Sequence, residues 1–143
     1  MAFNLSKIRV FSGLLLIIFT TACSGTVPVQ YTPQAFVDLS STKAAMGDFS
    51  YLPASEGKVK QNQIQNTAIG AIFIGEDVAN FVRRATALEL EKAGTDVASD
   101  ARKVISGRVE NLRADDLGFS VDWTFSTTYT VRSRGSDDVL FQK

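Results

Sequence analysis

The sequence predicts an α+β fold, an antiparallel sheet with one helix packed across a face, in the order strand, helix, β-meander. Three observations carry it. Phe119, Val121, Trp123, Phe125, Thr127, Tyr129 and Val131 alternate with Ser120, Asp122, Thr124, Ser126, Thr128, Thr130 and Arg132, a period of two in β-branched and aromatic residues. Asp77 and Gly94 bracket a stretch with helical apolar spacing. Turn residues stand on both sides of the alternating run, at Asp115-Asp116-Leu117-Gly118 and at Ser133-Arg134-Gly135-Ser136-Asp137.

The chain opens with Lys7 and Arg9, then an apolar run over Val10–Phe19, then small residues at Thr20, Thr21 and Ala22. That order is a signal peptide's, so residues 1–22 are set apart from the fold. The run is shorter than the roughly 20 apolar residues that a membrane-spanning helix needs. Ala22-Cys23-Ser24 resembles a bacterial lipoprotein box, although Thr20 stands where leucine is usual. The resemblance implies that Cys23 begins the mature chain and carries diacylglycerol, with palmitate-type acyl chains. Ser24 is not the aspartate that tends to retain such proteins in the inner membrane, so it implies an outer-membrane anchor with the domain facing the periplasm. Two or three acyl chains hold stably where one does not.

Residues 23–34 read as the lipidated N-terminus and a tether, because Pro28, Pro33 and small polar residues oppose regular structure. The alternation of Val27, Val29 and Tyr31 leaves an edge strand as the other reading. Residues 35–143 form the domain. Ala35–Ser40 and Met46–Pro53 read as short strands, Ala54–Lys60 as a loop, and Ala68–Gly75 as a strand or extended flap. In the helix, Val78, Phe81, Val82, Ala85, Leu88 and Leu90 make a broad apolar arc, interrupted by Glu89 and Lys92, suited to lying across a sheet. Arg102–Leu112 reads as the next strand. The alternating run then predicts one buried and one wet face, with Trp123 in the core and Asp122 in water. Asp138–Lys143 begins a return strand, and the sequence stops within it, so the expectation is either a naturally short product or one truncated before a capping helix.

Composition removes several kinds of chemistry. The chain of 143 residues has no histidine and one cysteine. A Ser-His-Asp triad, a Cys-His pair and a histidine zinc site are therefore impossible within it. Without Lys7 and Arg9 the mature chain has 13 basic and 15 acidic residues, which argues against nucleic acid as a partner. Asp115 and Asp116 are the one carboxylate cluster considered for a metal or acid/base role, and they read as turn formers. No cofactor, metal or enzymatic activity is expected.

The candidate recognition segment is rich in amides: Gln61, Asn62, Gln63, Gln65 and Asn66. Amides donate and accept without a charge to desolvate, which suits a protein partner's backbone or glycan hydroxyls; the plainer reading is a polar loop that ties down its own backbone. Together with Gly47–Pro53, Asn62–Gly70, Glu89–Gly94, Ser106-Gly107 and Asp115–Trp123, this segment resembles the YajG-like small proteobacterial lipoproteins and, more distantly, the TolB N-terminal-type domain. That resemblance implies an envelope location and a protein-binding or assembly-accessory role. The alternative is a periplasmic glycan- or lipid-binding carrier or sensor with a cleft beside the helix.

Overall fold

The computed structural model describes residues 24–67, 70–116, 118–136 and 138–143. Cys23 and the signal segment lie outside the described residues. Among the described residues, eight strands and two helices follow in order. The strands are β1 (Gly25–Val27), β2 (Lys43–Tyr51), β3 (Gln63–Asn66), β4 (Ile72–Ile74), β5 (Asp96–Val97), β6 (Lys103–Asp116), β7 (Val121–Ser133) and β8 (Val139–Gln142). The helices are α1 (Leu52–Ser55) and α2 (Val78–Lys92).

Strand β6 organises the sheet. One edge pairs antiparallel with β7 along nearly its whole length, from Lys103↔Ser133 to Asp116↔Val121. The other edge is shared in succession. The first half of β6 takes β2 in parallel, from Ala45↔Val104 to Tyr51↔Val109, and the second half takes β3 in parallel, at Gln65↔Arg113 and Asn66↔Ala114. Beyond β3 lie β4 and then β1; beyond β2 lies β5; beyond β7 lies β8. The sheet-dominated α+β class agrees with the sequence. The sheet is mixed rather than wholly antiparallel, because β2 and β3 each return to β6 after a helical crossover, which reverses the chain twice.

Helix α2 ends as the glycine at its foot dictates. Gly94 has φ +89°, and the amides of Gly94 and Thr95 donate to Glu91 O (3.0 Å) and Leu90 O (2.9 Å), closing a Schellman cap. At the start, Asp77 is the N-cap residue by its extended backbone, and its side chain makes no capping bond. Val78 and Val82 of α2 pack with Tyr51, Ile64, Ile74, Val109 and Ala114 in the core. Arg83 adds a polar clasp. Its Nε donates to Gly47 O (3.1 Å) and its Nη2 to Met46 O (3.2 Å), where the β2–β6 register slips between Met46 and Phe49. At Gly107 an added Cβ would stand 2.4 Å from Phe49 Cε1, so only glycine lets that ring lie over β6.

Several expectations are corrected. Ala35–Ser40 is not a strand: Asp38 Oδ1 accepts the Ser40 amide (2.9 Å) and Thr42 N donates to Leu39 O (2.9 Å), so turns occupy its backbone. Pro53 stands in the first turn of α1, where its missing amide costs nothing, and residues 52–55 are helical instead of strand end and loop. Of the two readings of the segment before Ala35, the edge strand holds for Gly25–Val27, which pairs with the sheet as β1, in parallel with β4. The largest departure concerns β7. Val121, Trp123 and Phe125 are half-exposed, and Trp123 at 59% exposure is not a core residue.

Candidate functional site

The reason for that exposure also creates the site. Through their pairing with Ala114, Leu112 and Val109, Trp123, Phe125 and Thr127 share the sheet face on which α2 lies. The helix sits over β2, β5 and the adjoining part of β6, and the face of β7 stays open beside it. Between helix and open strand runs a cleft of about 310 Å³, lined by Tyr31, Phe81, Val82, Ala85, Thr86, Glu89, Leu112, Phe125 and Tyr129.

Helical spacing supplies one wall. Phe81, Ala85 and Glu89 recur at four-residue steps, as do Val82 and Thr86, so all five fall on one side of α2. Alternation supplies the floor, from Phe125 and Tyr129 two positions either side of Thr127. Tyr129 meets Phe49 edge to face, with ring centroids 6.3 Å apart. Thr86 Oγ1 donates to Val82 O (2.8 Å), which leaves Tyr129 Oη to donate to Thr86 Oγ1 (3.3 Å).

Residues 28–34 cross the cleft as a strap. Tyr31 Oη donates to Glu89 Oε1, which also accepts the Gln34 amide at 2.7 Å. These two bonds hold the Glu89 carboxyl below the usual carboxylate range. Burial, and after it the bond to Glu89, pushes the Tyr31 phenol up to about 12. On its other side the strap continues the hollow: Val27, Val29 and Gln30 stand with Ile64, Ile74, Phe81, Leu112 and Trp123 around a second cavity of about 380 Å³. The site can accommodate apolar groups, with a carboxylate and hydroxyls at its margin. Glu89 was legible only as an interruption of the apolar arc, and Tyr31 only as part of an alternation.

The amide segment is placed elsewhere. Gln63–Asn66 is strand β3 rather than loop, because β6 offers it a partner edge. Asn62 Nδ2 donates to Ile74 O (3.3 Å), Gln63 Oε1 accepts the Lys60 amide (3.2 Å), and Asn66 Nδ2 donates to Gly70 O (2.9 Å). Gln65 Oε1 is buried with no hydrogen-bond donor among the described residues. Gln61 is the one exposed amide of the five. Asp115 Oδ1 accepts from Arg113 Nε (2.6 Å) and Asp116 Oδ1 accepts the Gly118 amide (2.8 Å). These partners explain the two carboxylates structurally.

In fold the chain is similar to protein XCC0632 from Xanthomonas campestris, of the family DUF330. The TM-score is 0.61 at 11% identity, over 85% of this chain and 74% of that one. At that identity the likeness is one of fold alone, and it lies with a bacterial protein other than the YajG-like and TolB-type domains that the motifs resemble. No protein-family model matches the sequence, and no curated protein matches it.

Proposed function

We propose that the chain is a bacterial envelope lipoprotein, anchored in the outer membrane through Cys23 and facing the periplasm, whose domain binds a protein and performs no catalysis. One observation carries the binding role. Strand β8 pairs with β7 and with no other strand among those described, and Val139, Leu140 and Phe141 on it are half-exposed. A free edge with apolar side chains is a template for an added strand. Asp138 before it and Lys143 after it flank that edge with charge without covering it. Gln61 precedes β3, with β6 and β7 between it and β8, so it would meet a partner as a second, separate contact, while Asn62, Gln63, Gln65 and Asn66 lie in or beside the strand that follows it. The resemblance of the motifs to those of YajG-like lipoproteins is in keeping with the same reading.

The test is a photocrosslinker at Leu140, and separately at Gln61, in the intact source bacterium. A discrete adduct at Leu140, lost when Val139 and Phe141 are both changed to Ser, is expected. A smear of random neighbours would reject the protein-binding role. Mass analysis of the mature N-terminus should show Cys23 acylated.

A second reading, a carrier or sensor for an apolar ligand, is favoured by the cleft. Thr127 Oγ1 is buried without a partner among the described residues and shares a strand face with Phe125 and Tyr129. Native mass spectrometry of protein extracted from its own membrane would show a retained ligand, and an empty protein would reject this reading.

A further inference from the structure

The geometry points to a second contact with the bilayer: we propose that Phe119, Val121 and Trp123 rest in the apolar margin of a zwitterionic lipid surface. The inference rests on the proposed acylation of Cys23 and specifies how the domain sits once anchored. Cys23 is two residues before Gly25, so chain reach keeps its Cα within about 7 Å of Gly25 Cα, at roughly 3.5 Å per residue, with the thioether sulfur two bonds further. Gly25 is fixed: it pairs with Ile72, and its amide donates to Ala71 O at 3.0 Å. The anchor therefore leaves the domain with almost no slack.

The register determines which end of the sheet that is. Strand β1 runs parallel to β4 from Ile72 onward, so the chain enters β1 from the end where β3 turns into β4. That turn adjoins the β6–β7 hairpin. Thr67 N donates to Ala114 O (3.4 Å), and Thr67 Oγ1 accepts the Asp116 amide (3.0 Å). At this hairpin end Phe119 is fully exposed, and Val121 and Trp123 are half-exposed. An aromatic group with an apolar body and one polar N–H suits the level of lipid headgroups. Charge selects the kind of lipid. Asp115 stands opposite Asp122 across the hairpin, Asp116 is beside them, and Arg113 is already engaged with Asp115. An acidic margin is repelled by anionic headgroups, so the surface it fits is zwitterionic.

Trp123 is the chain's one tryptophan, so its fluorescence reports the contact directly. Full-length protein, acylated by its bacterial host, is reconstituted into phosphatidylethanolamine–phosphatidylcholine vesicles with and without brominated acyl chains. Bromine should quench Trp123 emission, as for an indole at the interface, and Phe119→Ser should diminish the quenching. Replacing part of the lipid with phosphatidylglycerol should leave quenching unchanged or lower it; an increase would overturn the zwitterionic assignment. Acylated protein that floats with vesicles while Trp123 stays unquenched would overturn this inference alone. A mature chain without acyl groups on Cys23 would overturn the proposed anchor and this inference together.

Discussion

The two halves of the sheet are built from similar strands and end in opposite situations. Where α2 lies over β2 and β6, the side chains of Tyr51, Ile64, Val78 and Val109 are almost wholly enclosed. Along β7 the backbone pairing is the longest in the molecule, from Lys103↔Ser133 to Asp116↔Val121, yet Val121, Trp123 and Phe125 remain half-exposed. Pairing between strands and covering of a face are separate events. Hydrogen bonds hold β7 in place, and only a layer above it could remove its side chains from water. Stability is concentrated in the covered half, and the surface available for contact in the other.

Substitutions can break that contrast, beginning with the covered half. Ile64→Ala should destabilise the domain by about 2–5 kcal/mol in chemical denaturation, through lost burial and the cavity left behind. Gly107→Val should cost about 1–3 kcal/mol, because the new side chain meets the Phe49 ring; a variant with unchanged denaturation would show that the ring moves freely and the covered half is looser than described.

The strap joins the two halves, and its attachment should depend on pH. Glu89, with its lowered pKa, contributes above the usual carboxylate range, and that contribution is lost as pH falls through the depressed folded value. Tyr31, raised from 10.0 to about 12, contributes below 10, and its contribution is lost as pH climbs toward 12. Amide exchange of residues 29–34, corrected for its intrinsic pH dependence, should be slowest relative to an unstructured chain between those limits. Glu89→Gln should remove the acid limb; an acid limb that survives the substitution would mean that another group holds the strap. The smallest effect is expected on the open half, where Phe119→Ser, at a fully exposed side chain, should change stability by about 0.5 kcal/mol or less. A loss as large as that of Ile64→Ala would erase the distinction.

Much of this architecture was legible because it is local. Gly94 marks the end of α2 through its own backbone conformation, and the alternation from Phe119 to Val131 marks a strand whatever lies beside it. What escaped depends on distant partners. Asp96–Val97 is a strand because β2 offers it an edge. Tyr31 and Glu89, which close the cleft, are 58 positions apart. The alternation also identified a sheet face correctly while misjudging its cover, since a period of two shows which side chains share a face and carries no information about what lies above them. For the amides of 61–66 the sequence left two readings open, recognition or ties to the domain's own backbone, and Asn62, Gln63 and Asn66 make bonds of the second kind.

The direction of β1 has a mechanical consequence. A pull on residue 24 along the strand axis runs parallel to β4, so it loads the hydrogen bonds between β1 and β4 together, in shear. A pull on the far end of the strap would instead detach its contacts one after another. Tension arriving from the N-terminal side therefore meets the stiffer response, and the core behind β4 would bear the load before any of its strands were peeled away.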